Sequence, residues 1–298
     1  MKLSIIVCTY NRSRHLASVL ESLSTQQTPE GFQWEVLVID NNSRDDTQAV
    51  FEEFARRGKL QVRYVMETRQ GLSHARNRGI AEASGEYLAF IDDDALADAH
   101  WVIELSNALD RYKCDCVGGK IYLKHVNPLP RWLTKELWGF LACLDYGDTP
   151  LKLPTQYIYG TNMAFTRRIL NIVGEFNTEL GRTGYLPIGG EETDLIDRIR
   201  AFHGEVYYVP SAIVNHVIDD YKLQKSYFYS LHFLEGKSNG KMLKGKIKGQ
   251  LLGIPLYIFL QLFRNIGRCA YNPSVRKKMN IWWDLGFIRG CFDVYRRS

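Results

Sequence analysis

Short apolar runs alternate with amphipathic segments along the first third of the chain. The runs are rich in Val, Ile and Leu, and they occupy residues 3–8, 35–39, 62–65 and 87–91. Uninterrupted apolar runs of this length predict buried strands, and the intervening segments carry apolar residues at helical spacing. Ser13 is placed to cap the first of these helices. Strands that alternate with helices through short turns predict right-handed crossovers and a parallel sheet covered on both faces.

Polar residues follow each predicted strand directly. The segments are Thr9-Tyr10-Asn11-Arg12, Asp40-Asn41-Asn42-Ser43, Gly71-Leu72-Ser73-His74-Ala75-Arg76-Asn77 and Asp92-Asp93-Asp94. Each segment alone is explained by a helix cap, but four in succession are not. Because ligands of α/β sheets bind at the carboxyl ends of the strands, we expect these residues to converge on one binding rim.

Three consecutive carboxylates stand behind the strand at 87–91. In an extended chain alternate side chains share a face, which predicts that Asp92 and Asp94 point together and Asp93 points away. A divalent cation stabilises two neighbouring carboxylates in their ionised form, and such hard oxygen ligands favour Mg²⁺ or Mn²⁺. The alternative is an acidic turn at the start of the helix that follows Ala99.

These segments together resemble a family 2 glycosyltransferase. The resemblance rests on Val7 to Arg12, Val38 to Ser43 with Asp46-Thr47, Ala75 to Asn77, and Asp92 to Asp94, and it extends over roughly residues 3–235. It implies a GT-A type nucleotide-binding fold with a mostly parallel central sheet. It also implies a nucleotide-diphosphate sugar as donor and a divalent metal, Mn²⁺ or Mg²⁺. A metal and an arginine would stabilise the charge that develops on a diphosphate leaving group.

The resemblance also assigns residues to the site. The residues expected at the nucleotide are Thr9, Tyr10, Arg12, Asp40, Asn42, Arg76, Asp92 and Asp93. Thr9 and Tyr10 would lie near the base, with Asp40 accepting a hydrogen bond from it. The expected metal ligands are Asp94, Asp92 and His216, where the histidine closes the metal site; a lone histidine is otherwise more often structural.

The second half of the resemblance begins at Gly160-Thr161-Asn162, a small-residue turn that leads a strand back to the crevice. Gly189-Gly190 then precede Glu191-Glu192 at the start of a helix, where carboxylates are favoured. The family pattern here is usually Glu-Asp, with the second acid as base. This chain has Glu192 at that place, so we expect Glu192 as the catalytic base and keep Glu191 as the alternative.

Between these motifs, residues 122–156 combine prolines with aromatic residues. They are either a loop on the acceptor side, since aromatic faces pack on sugar rings, or a loop that buried aromatics anchor. The strand at 206–209 is expected to end at Pro210.

Composition limits the classes of protein. The 298 residues are 45% hydrophobic and 24% charged, which is ordinary for a globular protein. The six cysteines lack paired zinc spacing and predict buried thiols in a reducing compartment. No Gly-x-Gly occurs, which excludes the dinucleotide-binding fingerprint. The first residues lead straight into a strand, so we expect no signal peptide.

The last part of the chain has a different character. Basic residues greatly outnumber acidic ones from Lys222 onward, although the formal net charge of the whole chain is only +5. The apolar run at 251–263 is shorter than the ~20 residues that a spanning helix needs. Apolar residues flanked by Lys, Arg and Trp are typical of a helix that lies in the interface of an anionic membrane. The alternative is a helical extension that packs on the core or on a second copy of the chain.

We therefore predict two domains, a GT-A domain at 1–221 and a basic helical extension at 222–298. The predicted function is inverting transfer of a sugar to a hydroxyl of a glycan or lipid-linked acceptor, in surface polysaccharide or glycan biosynthesis. The predicted location is cytoplasmic, at the inner face of the membrane, and the extension could form a homo-oligomer. Nucleic acid is not expected as a partner, because the basic residues lie among aliphatic ones.

Two alternatives remain. A nucleotide-sugar-binding protein without turnover would retain the same motifs. A haloacid-dehalogenase-like phosphatase also places Asp-x-Asp after a strand, but it would want Thr or Val where Leu96 stands. It also leaves Asp40 and Arg76 unexplained.

Overall fold

The computed structural model describes residues 1–182, 189–242, 250–251 and 253–295. The described residues form two compact units. The first contains residues 1–126, 141–182 and 189–218, and the second contains residues 127–140 and the described residues from 219 onward. The division at 221/222 stays a prediction, since the second unit also includes a segment from the middle of the chain.

A nine-stranded sheet forms the centre of the first unit, in the order β3-β2-β1-β4-β8-β6-β9-β5 with β7 paired to β9. The strands are β1 Leu3–Thr9, β2 Trp34–Asp40, β3 Val62–Met66, β4 Tyr87–Asp92, β5 Ala95–Ala97, β6 Cys116–Lys124, β7 Leu151–Lys152, β8 Asn162–Thr166 and β9 Val206–Val217. The first four strands pair in parallel, as predicted. Strand β8 then runs antiparallel between β4 and β6.

Helices cover both faces of this sheet. They are α1 Ser13–Ser24, α2 Thr47–Arg56, α3 Leu72–Glu82, α4 Trp101–Tyr112, α5 Arg167–Val173 and α6 Glu191–Ala201. Neighbouring residues of β1 point to opposite faces, so that Ile5 packs among residues of α1, α2 and α4 while Ile6 packs among those of α3, α5 and α6. Burial on both faces explains why the parallel strands are continuous apolar runs.

Strand β9 is longer than expected. The prediction that it ends at Pro210 is wrong, because the strand continues to Val217. The register with β6 shifts between Gly119 and Ile121, where Gly119 faces Val209 and Ile121 faces Val214. Pro210 lacks an N–H group and falls in this irregularity, where no ladder hydrogen bond is required of it. The continuation carries His216 to the edge of the site.

The second unit is largely helical. It contains α7 Lys225–Met242, α8 Leu256–Tyr271 and α9 Val275–Tyr295, with a short hairpin of β10 Gln250–Leu251 and β11 Ile254–Pro255 before α8. Two 3₁₀ helices lie at Lys135–Leu141 and Asp220–Leu223. The apolar run predicted at 251–263 thus divides into a hairpin and the first half of α8.

Glycines allow α7 and α9 to pack closely. A Cβ atom at Gly240 would lie 2.2 Å from the carbonyl oxygen of Phe287, and one at Gly286 would lie 2.0 Å from that of Phe233. Gly236 and Gly290 meet backbone in the same way, so each helix contributes a Gly-x-x-x-Gly pair. The contacts advance in the same direction along both helices, which therefore run parallel. Small residues at this spacing let helix backbones approach each other.

Within the described part of the chain, no helix is both long enough and apolar enough to span a bilayer. The six cysteines are free thiols.

Candidate active site

The carboxyl ends of β1 and β4 are joined by hydrogen bonds. Thr9 donates from Oγ1 to Oδ2 of Asp93 at 2.8 Å. Arg12 donates from Nη1 to Oδ1 of Asp93 at 3.1 Å and to Oδ2 of Asp94 at 2.6 Å. Both carboxylates are almost completely buried. Burial raises the pKa of Asp93, and Asp94 raises it further, while Arg12 opposes the shift.

The predicted orientation of the three aspartates is wrong. Asp93 and Asp94 share Arg12, whereas Asp92 accepts a hydrogen bond from Thr161 at 2.6 Å and lies 3.6 Å from Nη2 of Arg76. Strand β4 ends at Asp92, and Asp93 and Asp94 form a turn before β5. Side chains alternate between faces only in an extended chain. Because the extended chain ends at Asp92, the alternation does not apply to Asp94, and the two side chains do not share a face.

His216 lies against Asp94, with Nε2 at 3.2 Å from Oδ1. The N–H group of Val217 donates to the carbonyl oxygen of Asp94 at 2.7 Å, which holds the end of β9 at this position. The other ring nitrogen, Nδ1, lies 2.7 Å from the carbonyl oxygen of Leu141. A carbonyl can only accept, so Nδ1 carries a hydrogen, and Nε2 is the ring nitrogen that faces the carboxylate.

This arrangement fits a divalent cation, because imidazole nitrogen and carboxylate oxygen are common metal ligands and here lie 3.2 Å apart. Ligating histidines commonly donate their other N–H group to a carbonyl, as His216 does. In the described residues no group of three or more His, Cys, Asp and Glu side chains is arranged to hold a metal. Of the three predicted ligands, Asp94 and His216 lie against each other, whereas the contacts of Asp92 are to Thr161 and Arg76. The full ligand set stays a prediction.

Arg76 joins the acids after β4 to those at the start of α6. Its Nη1 donates to Oε1 of Glu191 at 2.7 Å, and its side chain is 3% exposed. The guanidinium packs on the ring of Phe176, and a Cβ atom at Gly160 would lie 2.2 Å from Nη2. Burial opposes the positive charge, but Glu191 and Asp92 outweigh it and raise the pKa of Arg76. Arg76 therefore stays a cation between two carboxylates.

Glu192 lies beside this pair and forms no ion pair with any residue that the structure describes. Its Oε2 atom is buried and has no hydrogen-bond partner among the described residues, and the same is true of Oε2 of Glu191. Burial raises the pKa of Glu192 to about 7, the negative charge of Glu191 adds to the shift, and Arg76 opposes it. A carboxylate whose pKa lies near neutrality can accept a proton at physiological pH.

The residues expected at the nucleotide occupy the adjoining rim. Asp40 accepts hydrogen bonds from the N–H group of Ser43 at 2.8 Å and from the hydroxyl of Tyr64. Burial and this bond to Asp40 raise the pKa of Tyr64. Asn42 is exposed with a φ of 68°, and Tyr10 is partly exposed. The structure thus brings Thr9, Arg12, Asp93 and Asp94 together, while Asp92 and Arg76 form a second group with the glutamates.

The expected cap at Ser13 is wrong. Ser13 is the first residue of α1, its side chain does not cap the helix, and its N–H group donates to Asp45 at 3.0 Å instead. Asp45, from the loop after β2, thus accepts a hydrogen bond from a free N–H group at the start of α1, because the loops after β1 and β2 lie side by side at the rim.

Sequence reasoning missed the roles of three residues. Thr161 holds Asp92, and Gly160 leaves room for Arg76. Asn162 is fully buried; its Oδ1 accepts from Trp101 at 2.8 Å, and its Nδ2 donates to the carbonyl oxygens of Lys120 and Ala212. The small-residue turn was the available signal, but spacing alone does not say which partner a polar side chain finds.

The chain is similar in sequence to proteins of a known family. The model of glycosyl transferase family 2 matches residues 4–173. Over 249 residues the chain is 28% identical to the glucosyl-dolichyl phosphate glucuronosyltransferase of Haloferax volcanii, covering 81% of this chain and 77% of the relative. It is 25% identical to the succinoglycan biosynthesis protein ExoM of Rhizobium meliloti over 256 residues, which cover 84% of this chain and 77% of ExoM.

Solved structures agree with this fold. The mannosyltransferase PcManGT from Pyrobaculum calidifontis, in complex with GDP-Man and Mn²⁺, matches with a TM-score of 0.64 at 17% identity, covering 98% of this chain and 87% of that one. S. aureus TarS in complex with UDP-GlcNAc matches with a TM-score of 0.56 at 18% identity, covering 100% and 92%. These likenesses confirm the predicted GT-A type fold with helices after the sheet domain.

The family match and the relatives favour sugar transfer in glycan or polysaccharide biosynthesis over the phosphatase and over a binding protein without turnover. The family model spans more than half of the chain. This chain therefore belongs to glycosyl transferase family 2.

Proposed function

We propose that the chain is an inverting glycosyltransferase that uses a nucleotide-diphosphate sugar and a divalent metal, with Glu192 as the catalytic base. The observation that carries the proposal is the buried cluster of Arg76, Glu191 and Glu192. In this cluster the pKa of Glu192 is raised to about 7, and Arg76 is paired in part with Asp92, which supports Glu192 as the proton acceptor.

The donor side rests on the rim formed by β1, β2 and β4. Thr9, Tyr10, Asp40 and Asn42 would contact the nucleoside, as the resemblance implies, and Arg12, Asp93 and Arg76 would face the phosphates. The structures of PcManGT in complex with GDP-Man and Mn²⁺ and of TarS in complex with UDP-GlcNAc support a donor of this class. Asp94 and His216 would hold the metal, and phosphate oxygens would complete its coordination, as is usual for Mg²⁺. When bound, the metal would neutralise charge on the leaving diphosphate.

On the acceptor side, Glu192 would remove the proton of the attacking hydroxyl. Oxygen then bonds to the anomeric carbon while the bond from that carbon to the diphosphate breaks. One base and no covalent intermediate give inversion of configuration. Glu191 accepts a hydrogen bond from Arg76 and would act indirectly. The negative charge of Glu191 raises the proton affinity of Glu192, and its hydrogen bond positions Arg76.

The acceptor we propose is a glycan or a lipid-linked glycan. Two relatives are named for substrates that carry a lipid phosphate. One is the glucosyl-dolichyl phosphate glucuronosyltransferase of Haloferax volcanii. The other is the GalNAc(5)-diNAcBac-PP-undecaprenol glucosyltransferase of Campylobacter jejuni, which is 35% identical over 95 residues, covering 31% of this chain and 29% of that relative. We also propose that the chain docks on a membrane through its second unit. The exposed apolar residues of α8 support this docking.

The test is a panel of nucleotide-diphosphate sugars with and without Mn²⁺, read out by thermal shift and by hydrolysis or transfer of the sugar. A ligand that binds only the native state raises its stability, so the correct donor should raise Tm more when Mn²⁺ is present. If no nucleotide sugar raises Tm or turns over in either condition, the proposal is refuted.

A further inference from the structure

A cavity of about 440 Å³ lies within the second unit, where α7, α8 and α9 meet. Three arginines line it: Arg264 and Arg268 from α8, and Arg276 from α9. They are exposed, and Arg276 also lies over the ring of Phe140, 4.8 Å from its centroid. Among the described residues, none of the three guanidinium groups forms an ion pair or a side-chain hydrogen bond. Guanidinium groups without partners are well suited to phosphate, which they bind through paired hydrogen bonds.

The acids of the cavity do not neutralise these arginines. Asp284 is fully buried, and its two oxygens accept hydrogen bonds from Gln261 at 2.6 Å and from Asn265 at 2.7 Å. Burial raises the pKa of Glu235, and Arg276 opposes the shift. The lining thus has three arginines against two acids. The cavity therefore keeps an excess of positive charge.

A fourth polar group points to a ligand. His232 lines the same cavity and is only 5% exposed; the backbone of Phe228 lies near its ring, but Nδ1 forms no well-aligned hydrogen bond within the described part of the chain. Burial lowers the pKa of His232 to about 4, and Arg276 contributes to the shift. The ring is therefore neutral, and one of its nitrogens can donate to an oxygen anion. A buried polar atom left without a partner costs free energy that a bound ligand would recover.

An exposed apolar surface adjoins the arginines on the same helix. Leu256, Leu260 and Phe263 recur at helical spacing and are 50%, 71% and 70% exposed. Arg264 and Arg268 follow Leu260 at intervals of four residues and so lie along the edge of this apolar face. A ligand that combines an anionic head with a hydrocarbon tail matches both features at once.

We propose that this cavity binds the phosphate group of an anionic membrane lipid while the apolar face of α8 enters the membrane interface. The inference rests on the proposed membrane docking, and it names what the docked surface recognises. A zwitterionic lipid such as phosphatidylcholine also carries a phosphate, but its own ammonium group balances that charge, so the cavity would select lipids with a net negative charge.

The experiment uses the full chain and two kinds of vesicle, phosphatidylcholine alone and phosphatidylcholine mixed with phosphatidylglycerol. The test variant carries Arg264→Gln and Arg268→Gln, and the control carries Lys277→Gln and Lys278→Gln. Both remove two positive charges from the same unit, but only the first pair lines the cavity. We expect the test variant to bind the anionic vesicles at least about tenfold more weakly than the control. Thermal unfolding of both variants establishes that they are folded.

Three outcomes would overturn the proposal. Equal losses in the two variants would mean that diffuse charge, and not the cavity, attracts the membrane. Stabilisation by inorganic phosphate that disappears in the arginine variant, without any vesicle binding by the unchanged chain, would make this a site for a soluble anion. Binding to neither kind of vesicle would refute the docking itself, while sugar transfer to a soluble acceptor would still stand as a separate result.

Discussion

Glu191 and Glu192 are neighbours in the chain and carry the same chemical group, but only Glu191 forms an ion pair with Arg76 among the described residues. Oε1 of Glu191 accepts a hydrogen bond from Arg76 at 2.7 Å, whereas no ion pair to Glu192 occurs among the described residues. A carboxylate that is already hydrogen-bonded to a cation is a poor proton acceptor, and one with a raised pKa is a better one. The different roles that we propose for the two glutamates follow from their different partners.

The first prediction concerns turnover. Glu192→Gln should lower kcat by about 10²–10⁴ while donor affinity stays nearly unchanged, because the amide cannot accept the acceptor proton. Steady-state kinetics and calorimetry with the donor measure the two quantities. The same change at Glu191 should cost less, and the reverse order would assign the base to Glu191.

The pH dependence tests the same pair in another way. A base with a pKa of about 7 is protonated below that pH, so kcat/KM should rise with pH through an acid limb near 7. Glu191→Gln removes the repulsion that raises this pKa and leaves Arg76 free to stabilise the Glu192 carboxylate. The acid limb should therefore move to lower pH in this variant. An unmoved limb would show that the titrating group is not Glu192.

The metal site gives a third prediction at this scale. Asp94→Ala should abolish the dependence of donor binding on Mn²⁺, because it removes the oxygen that faces His216. Calorimetry with a nucleoside diphosphate, with and without Mn²⁺, measures the change. Glu53→Ala is the matched control, since Glu53 is an exposed carboxylate on α2 that pairs with Arg57. Wild-type metal dependence in the Asp94 variant would contradict the assignment.

Helices and strands are predicted correctly from the sequence where a single pattern of apolar residues determines them. The parallel strands β1 to β4 are buried on both faces, so their apolar runs carry a clear signal. The errors lie where tertiary contacts decide. Strand β9 passes Pro210 because its ladder is irregular there, and the three aspartates separate because β4 ends at Asp92. Neither the irregularity nor the end of the strand is visible in local spacing.

The packing of α7 on α9 was not predicted either, although both Gly-x-x-x-Gly pairs can be read in the chain. Gly286→Ala should lower the free energy of unfolding by about 1–3 kcal/mol, because the added methyl group would collide with the backbone of α7. Gly267→Ala on α8 is the matched control, since a Cβ atom there meets nothing within 4 Å. It should be neutral or stabilising by up to about 1 kcal/mol. Chemical denaturation of both variants compares them, and equal stabilities would refute the close packing.

Excess positive charge and exposed apolar side chains are concentrated in the second unit. Charge attraction to a membrane is screened by salt, whereas burial of Leu260 and Phe263 is not. The full chain should therefore bind anionic vesicles and be released only in part at high salt. Leu260→Ser with Phe263→Ser should be released completely, and a sedimentation assay at rising salt measures both. If the unchanged chain ignores vesicles and elutes as a dimer that this double variant dissociates, the apolar face is a dimer interface.

The position of Arg76 between Asp92 and Glu191 has a thermodynamic consequence. The positive charge of Arg76 stabilises the Glu192 carboxylate. An anion that binds the guanidinium offsets this charge and so raises the proton affinity of Glu192. Proton uptake and binding of an anionic donor are then linked, and linkage is reciprocal. The donor would bind more tightly as the pH falls through the pKa of the base, at the same time as the base loses its ability to react. Substrate capture and proton removal would thus have opposite optima, and the best working pH would be a compromise between them.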